Sequence, residues 1–157
     1  MKELYIVTGA NGFLGNNIVR KLLEKNCEVR CLVLPEDKLE ALEGLDCKIY
    51  RGDVTKKETL EDIFDVDSET LLYVIHCAAI VYIKSKYNPK IMYVNYNGTK
   101  NIVDKVLEKN AKMVYVSSVH AITEKPNGEK MSEITDFDEN KVVGYMQNQK
   151  QEQLKWY

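Results

Sequence analysis

The chain has 157 residues, 45% of them hydrophobic, so it is long enough for about one domain with a substantial core. A net charge of −2 and an isoelectric point near 5.8 give no basic surplus, and nucleic acid is not an expected partner. No apolar run approaches the ~20 residues that span a bilayer, and the N-terminus lacks signal-peptide architecture, so we expect a cytoplasmic protein that does not bind membranes. The 4 cysteines show neither a CxxC pair nor zinc-site spacing, which predicts reduced thiols and no metal.

Short apolar runs rich in β-branched residues alternate with stretches of helical period. Strands are predicted at 4–9, 28–35, 47–54, 71–79 and 113–118. Helices are predicted at 13–25, 36–43, 56–64, 89–109 and from about 143. Thr55 is the predicted N-cap of the third helix, and the apolar face of the first is predicted to hold Phe13, Leu14, Ile18, Leu22 and Leu23. Such alternation predicts an α/β fold, with a parallel sheet and helices on both faces.

A glycine-rich turn, "TGANGFLG", joins the first strand to the first helix. Gly9, Gly12 and Gly15 allow a sharp turn, a close backbone approach to a pyrophosphate and tight packing of the helix on the strand. Backbone N–H groups and the positive end of the helix dipole would then face the anion. The position of this turn inside a βαβ unit favours nucleotide binding over a purely structural role, and the predicted domain is of the Rossmann type.

The spacing Gly-x-x-Gly-x-x-Gly resembles the extended (atypical) branch of the short-chain dehydrogenase/reductase family, which includes NAD-dependent epimerases and dehydratases and dihydroflavonol reductases. Four further motifs resemble the same family in the same order: "RGDVT" (51–55), "IHCAA" (75–79), "VNYNGTKN" (94–101) and "VYVSSV" (114–119). The resemblance covers the family's N-terminal half. It implies a doubly wound parallel sheet, truncated here before the C-terminal substrate domain, with residues 1–157 as one NAD(P)-binding domain.

The resemblance also implies the site residues. Asp53 and Val54 would contact the adenine, and Asn95 would lie near the nicotinamide. Ser118 and Tyr145 would be catalytic. The full set of implied cofactor-binding residues is Gly9, Asn11, Gly12, Phe13, Leu14, Gly15, Asp53, Val54, Cys77, Ala78, Ala79, Asn95, Ser117 and Tyr145. Several of these residues have an ordinary structural alternative. Asp53 would be a helix cap, Asn95 a helix-interior hydrogen-bonding residue, and Ser117 and Ser118 strand-end residues.

The cofactor is NADP or NAD. A carboxylate at the end of the second strand would select NAD and an Arg nearby would select NADP. By resemblance these positions fall on Val33 and Leu34, so neither selector is present. Glu36 and Asp37 come slightly late, and Lys38 would offset them. The strand resembles those of reductase-like members more than those of sugar epimerases, which favours NADP.

The catalytic signature is incomplete. In the family a Tyr exchanges a proton with the substrate oxygen, and a Lys four residues later, one helical turn away, favours the phenolate. Gln149 occupies that position after Tyr145. Lys150 is rotated from it by about 100° on a helix. The resemblance therefore implies impaired proton transfer.

The last stretch, "GYMQNQKQEQLKWY", ends within the helix that carries Tyr145. One allowed reverse translation, shifted by two nucleotides after Tyr145, restores a Lys at the fourth position, so we hypothesise a frameshift there. Three alternatives stay open: an impaired copy of an oxidoreductase or epimerase, a non-catalytic NAD(P)-binding or sensing module, and an enzyme completed by another chain. Without a partner domain we also expect self-association.

Overall fold

The structure is a computed structural model that describes residues 2–81, 88–122, 125 and 128–133. Five strands form one sheet in which every neighbouring pair is parallel. They are β1 (Glu3–Thr8), β2 (Glu28–Val33), β3 (Lys48–Arg51), β4 (Leu71–His76) and β5 (Lys112–Tyr115). The spatial order is β3-β2-β1-β4-β5, so the chain moves outward from β1 in one direction and then returns to continue in the other. The predicted doubly wound parallel sheet is confirmed.

Two long helices flank the sheet. Helix α1 is Phe13–Glu24. Helix α2 consists of an α-helical turn, Pro89–Met92, a π-helical turn, Tyr93–Asn97, and an α-helical segment, Gly98–Glu108. It begins where Asn88 accepts a hydrogen bond from the Lys90 N–H, with proline at the first helical position, where its missing N–H does no harm.

Each face of the sheet has its own core. Because side chains alternate along a strand, Leu4 and Ile6 of β1 face one side and Val7 faces the other. The first side packs under α2 and the segment before β4, with Phe64 and Ile102 fully buried. The second packs under α1, whose fully buried residues are Gly15 and Val19. The prediction for the apolar face of α1 is wrong at Phe13 and Leu14, which are 90% and 45% exposed.

Two predicted helices are replaced by shorter 3-10 turns. In the segment 36–43 only Glu40–Leu42 is helical, and the residues before it form a turn whose carbonyls at Leu34, Pro35 and Asp37 accept hydrogen bonds from the Arg51 guanidinium. The segment 56–64 forms Lys57–Leu60 and Asp62–Phe64.

A side chain also lies against the backbone of this second segment. The Thr59 hydroxyl is within hydrogen-bond distance of the carbonyls of Asp53 and Lys56, which also accept the backbone N–H groups of Lys56 and Thr59. Thr55 is not the N-cap; that position is Lys56, and the Thr55 hydroxyl bonds the Asp53 carboxylate instead.

Lys105 joins α2 to the segment before β4. Its side chain is 2% exposed, and its ammonium lies 2.7 Å from Glu61 Oε2 and 3.1 Å from Glu108 Oε2. Burial opposes the charged form, but the two hydrogen bonds outweigh it and raise the pKa of Lys105. A raised pKa means that this pairing stabilises the fold below the unfolded value of about 10.4 and is lost as pH rises through the folded value.

Helix α1 covers only part of its face of the sheet. Val7, Ile75 and Val114 are neighbours in register on β1, β4 and β5. Their exposure rises across this row from 0% at Val7, through half-buried Ile75, to 61% at Val114. Next to it the rings of Tyr5 and Tyr73 stack with centroids 4.9 Å apart. We call Tyr5, Tyr73, Ile75 and Val114 the open face.

Among the described residues no helix is long and apolar enough to cross a membrane.

Candidate functional site

An open groove of about 390 Å³ lies at the carboxyl ends of β1 to β4, where the chain order of the sheet reverses. This is the place where open α/β sheets bind ligands. Its wall is made by the loops that follow the four strands and by the first turns of α2. The lining residues are Gly9, Gly12, Leu32, Val33, Leu34, Glu36, Asp37, Gly52, Asp53, Val54, Cys77, Ala78, Ala79, Ile80, Lys90 and Val94.

The glycine loop is sterically determined. Gly9 has a φ of +63°, and a Cβ there would lie 2.9 Å from the Ala78 nitrogen. A Cβ on Gly15 would overlap the Gly9 carbonyl oxygen, so α1 reaches the turn only because Gly15 has no side chain. Gly12 is the N-cap of α1 and supplies no side-chain cap, and no acidic residue occupies the first turn. The first N–H groups of α1 therefore have neither a side-chain cap nor a nearby carboxylate to compensate them.

Three other predicted residues of the loop lie at its edge. The Asn11 side chain donates to the Lys38 carbonyl at 2.5 Å. Its Oδ1 atom is buried and has no partner within the part of the chain that the structure describes. Phe13 and Leu14 begin α1 with exposed side chains, and neither is among the residues that line the groove.

Asp53 and Val54 both line the groove, on the β3 side. Asp53 Oδ1 accepts hydrogen bonds from the Thr55 N–H at 2.9 Å and the Thr55 hydroxyl at 2.8 Å. The turn after β3 is thereby fixed. A Cβ on Gly98 would lie 2.6 Å from Val54 Cγ2, so a glycine of α2 makes room for the Val54 side chain.

Cys77, Ala78 and Ala79 form the β4 side of the groove. The Thr8 hydroxyl accepts the N–H groups of Cys77 and Ala78, each at 3.1 Å, and so ties this segment to the end of β1. Burial raises the pKa of the Cys77 thiol. Cys77 is thus a small neutral wall residue, since the thiolate is the reactive form.

A buried chain of hydrogen bonds lies beneath the groove. His76 is 1% exposed; its Nδ1 lies 2.6 Å from the Thr8 hydroxyl and its Nε2 lies 3.0 Å from the Thr99 hydroxyl. The Thr99 hydroxyl donates to the Asn95 carbonyl at 2.6 Å. These contacts connect β1, β4 and α2 through one side chain.

The donor count favours one tautomer of His76. The Thr8 hydroxyl oxygen accepts the Ala78 N–H and shares the Cys77 N–H with the Thr8 carbonyl, so its proton is directed to His76 Nδ1. The Thr99 proton goes to Asn95, so His76 Nε2 carries the hydrogen that Thr99 accepts. These contacts fit the tautomer with its proton on Nε2.

Asn95 lies in the π-helical turn and is 2% exposed. Its amide clamps Ile80 by accepting from the Ile80 N–H at 2.8 Å and donating to the Ile80 carbonyl at 3.0 Å. Asn95 thus holds a groove-lining segment in place without lining the groove itself.

The two serines follow β5. Ser117 Oγ is buried and has no hydrogen-bond partner among the described residues, and Ser118 is half-buried. Tyr145 and Gln149 lie outside the described residues. The structure thus brings Gly9, Gly12 and the predicted residues after β3 and β4 to one groove. The other predicted residues that it describes do not line this groove: Asn11, Phe13, Leu14, Gly15, Asn95, Ser117 and Ser118.

The model of the 3-beta hydroxysteroid dehydrogenase/isomerase family matches residues 6–154. The chain belongs to this family. The predicted resemblance to extended short-chain dehydrogenases/reductases is thereby confirmed, and the chain is a domain of the NAD-dependent epimerase, dehydratase and reductase group.

Three similar proteins are longer than this chain. A putative dihydroflavonol 4-reductase from Synechocystis sp. is 29% identical over 145 residues, 92% of this chain and 41% of that protein. The 3 beta-hydroxysteroid dehydrogenase type 7 of Mus musculus is 32% identical over 127 residues, 76% of this chain and 33% of that one. The solved structure of the UDP-glucose 4-epimerase of Thermus thermophilus, in complex with NAD, matches with a TM-score of 0.82 at 28% identity. The match covers 98% of this chain and 49% of the epimerase chain. The chain therefore spans less than half the length of each of these three proteins.

The sequence alone did not indicate that Thr8, His76 and Thr99 form the hydrogen-bond network beneath the groove of this domain. The available signal was a polar residue at the end of each of two apolar strands. A Thr and a His that end neighbouring parallel strands meet at the same edge of the sheet.

Replacing Thr8 with valine keeps the shape of the side chain but removes the oxygen that bonds the Ala78 N–H and His76 Nδ1, and it leaves the Cys77 N–H with the Thr8 backbone carbonyl at 3.3 Å. We expect Thr8→Val to lower the free energy of unfolding by about 2–4 kcal/mol, measured by urea denaturation followed by circular dichroism. Thr8→Ser is the control; it keeps the hydroxyl and loses one methyl group, for a cost of about 1 kcal/mol. Equal losses in the two variants would contradict the role of the hydroxyl.

Proposed function

We propose that this chain is the NAD(P)-binding domain of an oxidoreductase or epimerase that acts on a secondary alcohol, a ketone or a nucleotide-linked sugar. The observation that carries the proposal is the groove at the sheet reversal, bordered by a glycine loop and by the uncapped N-terminus of α1. A dinucleotide fits the residues present: backbone donors for an anion, small residues on the β4 side, and two buried polar atoms, Asn11 Oδ1 and Ser117 Oγ, in need of a partner.

The pyrophosphate would bind at the first turn of α1. Gly12 brings the backbone close, and the N–H groups that follow have no intrahelical carbonyl to bond. The positive end of the helix dipole favours an anion here. The adenosine half would then lie along Asp53 and Val54, with Cys77, Ala78 and Ala79 opposite.

The nicotinamide end would lie toward Asn95 and the end of β5, where Ser117 and Ser118 are placed. The cofactor, when bound, supplies or accepts the hydride. In the proposed enzyme Ser118 holds the substrate oxygen and Tyr145 moves its proton. Because Gln149 carries no charge, it does not lower the pKa of Tyr145 as a Lys would, and proton transfer is impaired. A non-catalytic NAD(P)-binding or sensing module is the second candidate, favoured by the same Gln149.

Gly12→Asp tests the pyrophosphate site by separating folding from binding. Gly12 has φ −79° and ψ 166°, which any residue adopts, and Asp is a good N-cap, so we expect stability within about 1 kcal/mol of the wild type. A carboxylate facing the pyrophosphate should weaken NADH binding at least about tenfold, because like charges then meet. Thermal unfolding and isothermal titration calorimetry measure the two effects.

Gly12→Asn is the matched control, since it has the same size without the charge. Its Cβ meets the same tight contact with the Gly9 carbonyl oxygen, 3.2 Å away. An NADH affinity in the Gly12→Asp variant equal to that of the wild type would remove the pyrophosphate from the N-terminus of α1.

The chain is expected to bind NAD(H) or NADP(H) but to show no hydride transfer above the buffer rate, because the Lys partner of Tyr145 is absent. Cofactor absorbance with a 3β-hydroxysteroid, UDP-glucose and a simple secondary alcohol measures this. Turnover with any of them would contradict the impairment. Binding without turnover fits both candidates, and the gene sequence beyond codon 157 separates them: a shifted open frame indicates an impaired enzyme, an in-frame stop a module.

We also propose that the chain self-associates through the open face. Val114 is 61% exposed there, beside Ile75 and the stacked tyrosines. Sedimentation velocity should show oligomers that Val114→Lys disperses. Val119→Lys, at a residue 66% exposed but outside the open face, should leave them intact. A wild-type chain that stays monomeric at high concentration would exclude this association.

A further inference from the structure

We propose that Arg51 is a positioning residue for dinucleotide binding, because it holds the loop after β2, residues 34–38, in place as one wall of the groove. The inference rests on the proposed dinucleotide function and adds a residue to that site. Leu34, Glu36 and Asp37 of this loop line the groove, whereas Arg51 does not. Arg51 therefore acts on a bound ligand through the loop and not by contact.

Arg51 lies where two strands of the sheet end together. It is the last residue of β3 and stands opposite Val33, the last residue of β2. The Gly52 N–H donates to the Val33 carbonyl at 2.9 Å, which keeps the two chain segments together just beyond the strands. Gly52 and Asp53 then line the groove, while the Arg51 side chain reaches the loop that leaves β2.

One nitrogen of Arg51 contacts three carbonyl oxygens of this loop. Nη1 lies 2.5 Å from the oxygen of Pro35 and 3.2 Å from the oxygens of Leu34 and Asp37. Since Nη1 carries two hydrogens, at least one of them is shared between two of these acceptors. Hydrogen bonds from a charged donor are stronger than those between neutral groups. Arg51 thus ties the start of the loop firmly to β3.

The other hydrogen bonds of the loop set its shape and hold its far end. The Asp37 N–H donates to the Leu34 carbonyl at 3.1 Å, and the Leu34 N–H donates to Asp37 Oδ2 at 3.2 Å. These two bonds lie within the turn and do not attach it to the sheet. The Asn11 amide donates to the Lys38 carbonyl at 2.5 Å and so links the end of the loop to the glycine turn.

Fixing the loop before a ligand arrives favours binding, because a preformed wall costs less to order. Without the Arg51 guanidinium, the turn would keep its internal bonds but lose its attachment to β3. A dinucleotide would then have to order the loop as it binds, and its dissociation constant would rise. The change would fall on the free protein, since Arg51 does not line the groove.

The test measures NADH dissociation constants for the full chain by isothermal titration calorimetry. Arg51→Met keeps an unbranched side chain without a donor, and we expect it to weaken NADH binding at least about fivefold. Arg30→Met is the matched control, because Arg30 Nη1 likewise donates to two carbonyls, those of Ile63 and Asp65, each at 2.8 Å. It removes the same charge and the same kind of bond away from the groove, so it should keep the wild-type affinity.

Two further measurements separate positioning from simple attraction between the Arg51 charge and an anionic ligand. Salt screens such attraction, so the ratio of the NADH affinities of the wild type and Arg51→Met should be the same at low and high salt. Hydrogen exchange reports the order of the loop directly. In the free chain the Asp37 amide should exchange faster in Arg51→Met than in the wild type, and NADH should restore its protection.

Wild-type NADH affinity in Arg51→Met, an equal loss in Arg30→Met, or a loss that disappears at high salt would overturn the positioning role while the dinucleotide site stands. Unchanged exchange of the Asp37 amide in free Arg51→Met would overturn it as well. A wild-type chain that binds no NADH would instead overturn the proposed function itself.

Discussion

The groove depends on one buried chain of hydrogen bonds that runs from Thr8 through His76 to Thr99 and on to the Asn95 carbonyl. Thr8 is the last residue of β1, immediately before the glycine loop, and its hydroxyl also holds the N–H groups of Cys77 and Ala78. The backbone on both sides of the sheet reversal is thus fixed to the same oxygen. An unsatisfied member of such a chain is costly in a low-dielectric interior, so the network specifies one arrangement of β1, β4 and α2.

The charges around the groove are arranged with opposite signs. The N-terminus of α1 presents uncapped N–H groups and no acidic residue, which makes that point attractive to an anion. The adjoining loop after β2 and the turn after β3 present carboxylates instead.

The parts of the fold that sequence predicts well are those decided locally. The central strands β1, β2 and β4 are mostly buried, so each contains an apolar run that stands out in the chain. The glycine loop was predictable because its steric demands exclude other residues. The predicted helices after β2 and β3 were wrong because both segments form shorter 3-10 turns, bonded by side chains that the local pattern does not reveal: Arg51, more than ten residues away, and Thr59, inside the segment.

The site was predictable to the same extent. Motif residues on the loops could be assigned to the groove from sequence. The roles of His76 and Thr99 could not, because these residues act through contacts between elements that are distant in sequence. Asn95 shows the same limit: the motif identified the residue, but not that its amide holds the backbone of Ile80.

The π-helical turn Tyr93–Asn97 changes the rotation of the first turn of α2 about the helix axis relative to the rest of the helix. A π turn contains one residue more than the α-helical turn it replaces, and each residue advances an α-helix by about 100°. If one residue were deleted here, Gly98–Glu108 would stay packed on the sheet while Pro89–Met92, with Lys90, turned by roughly that angle. The number of residues in this turn, independent of their identity, therefore decides which side chain α2 presents to the groove. A homologue that is one residue shorter at this point would differ in its binding wall even with the same sequence on either side.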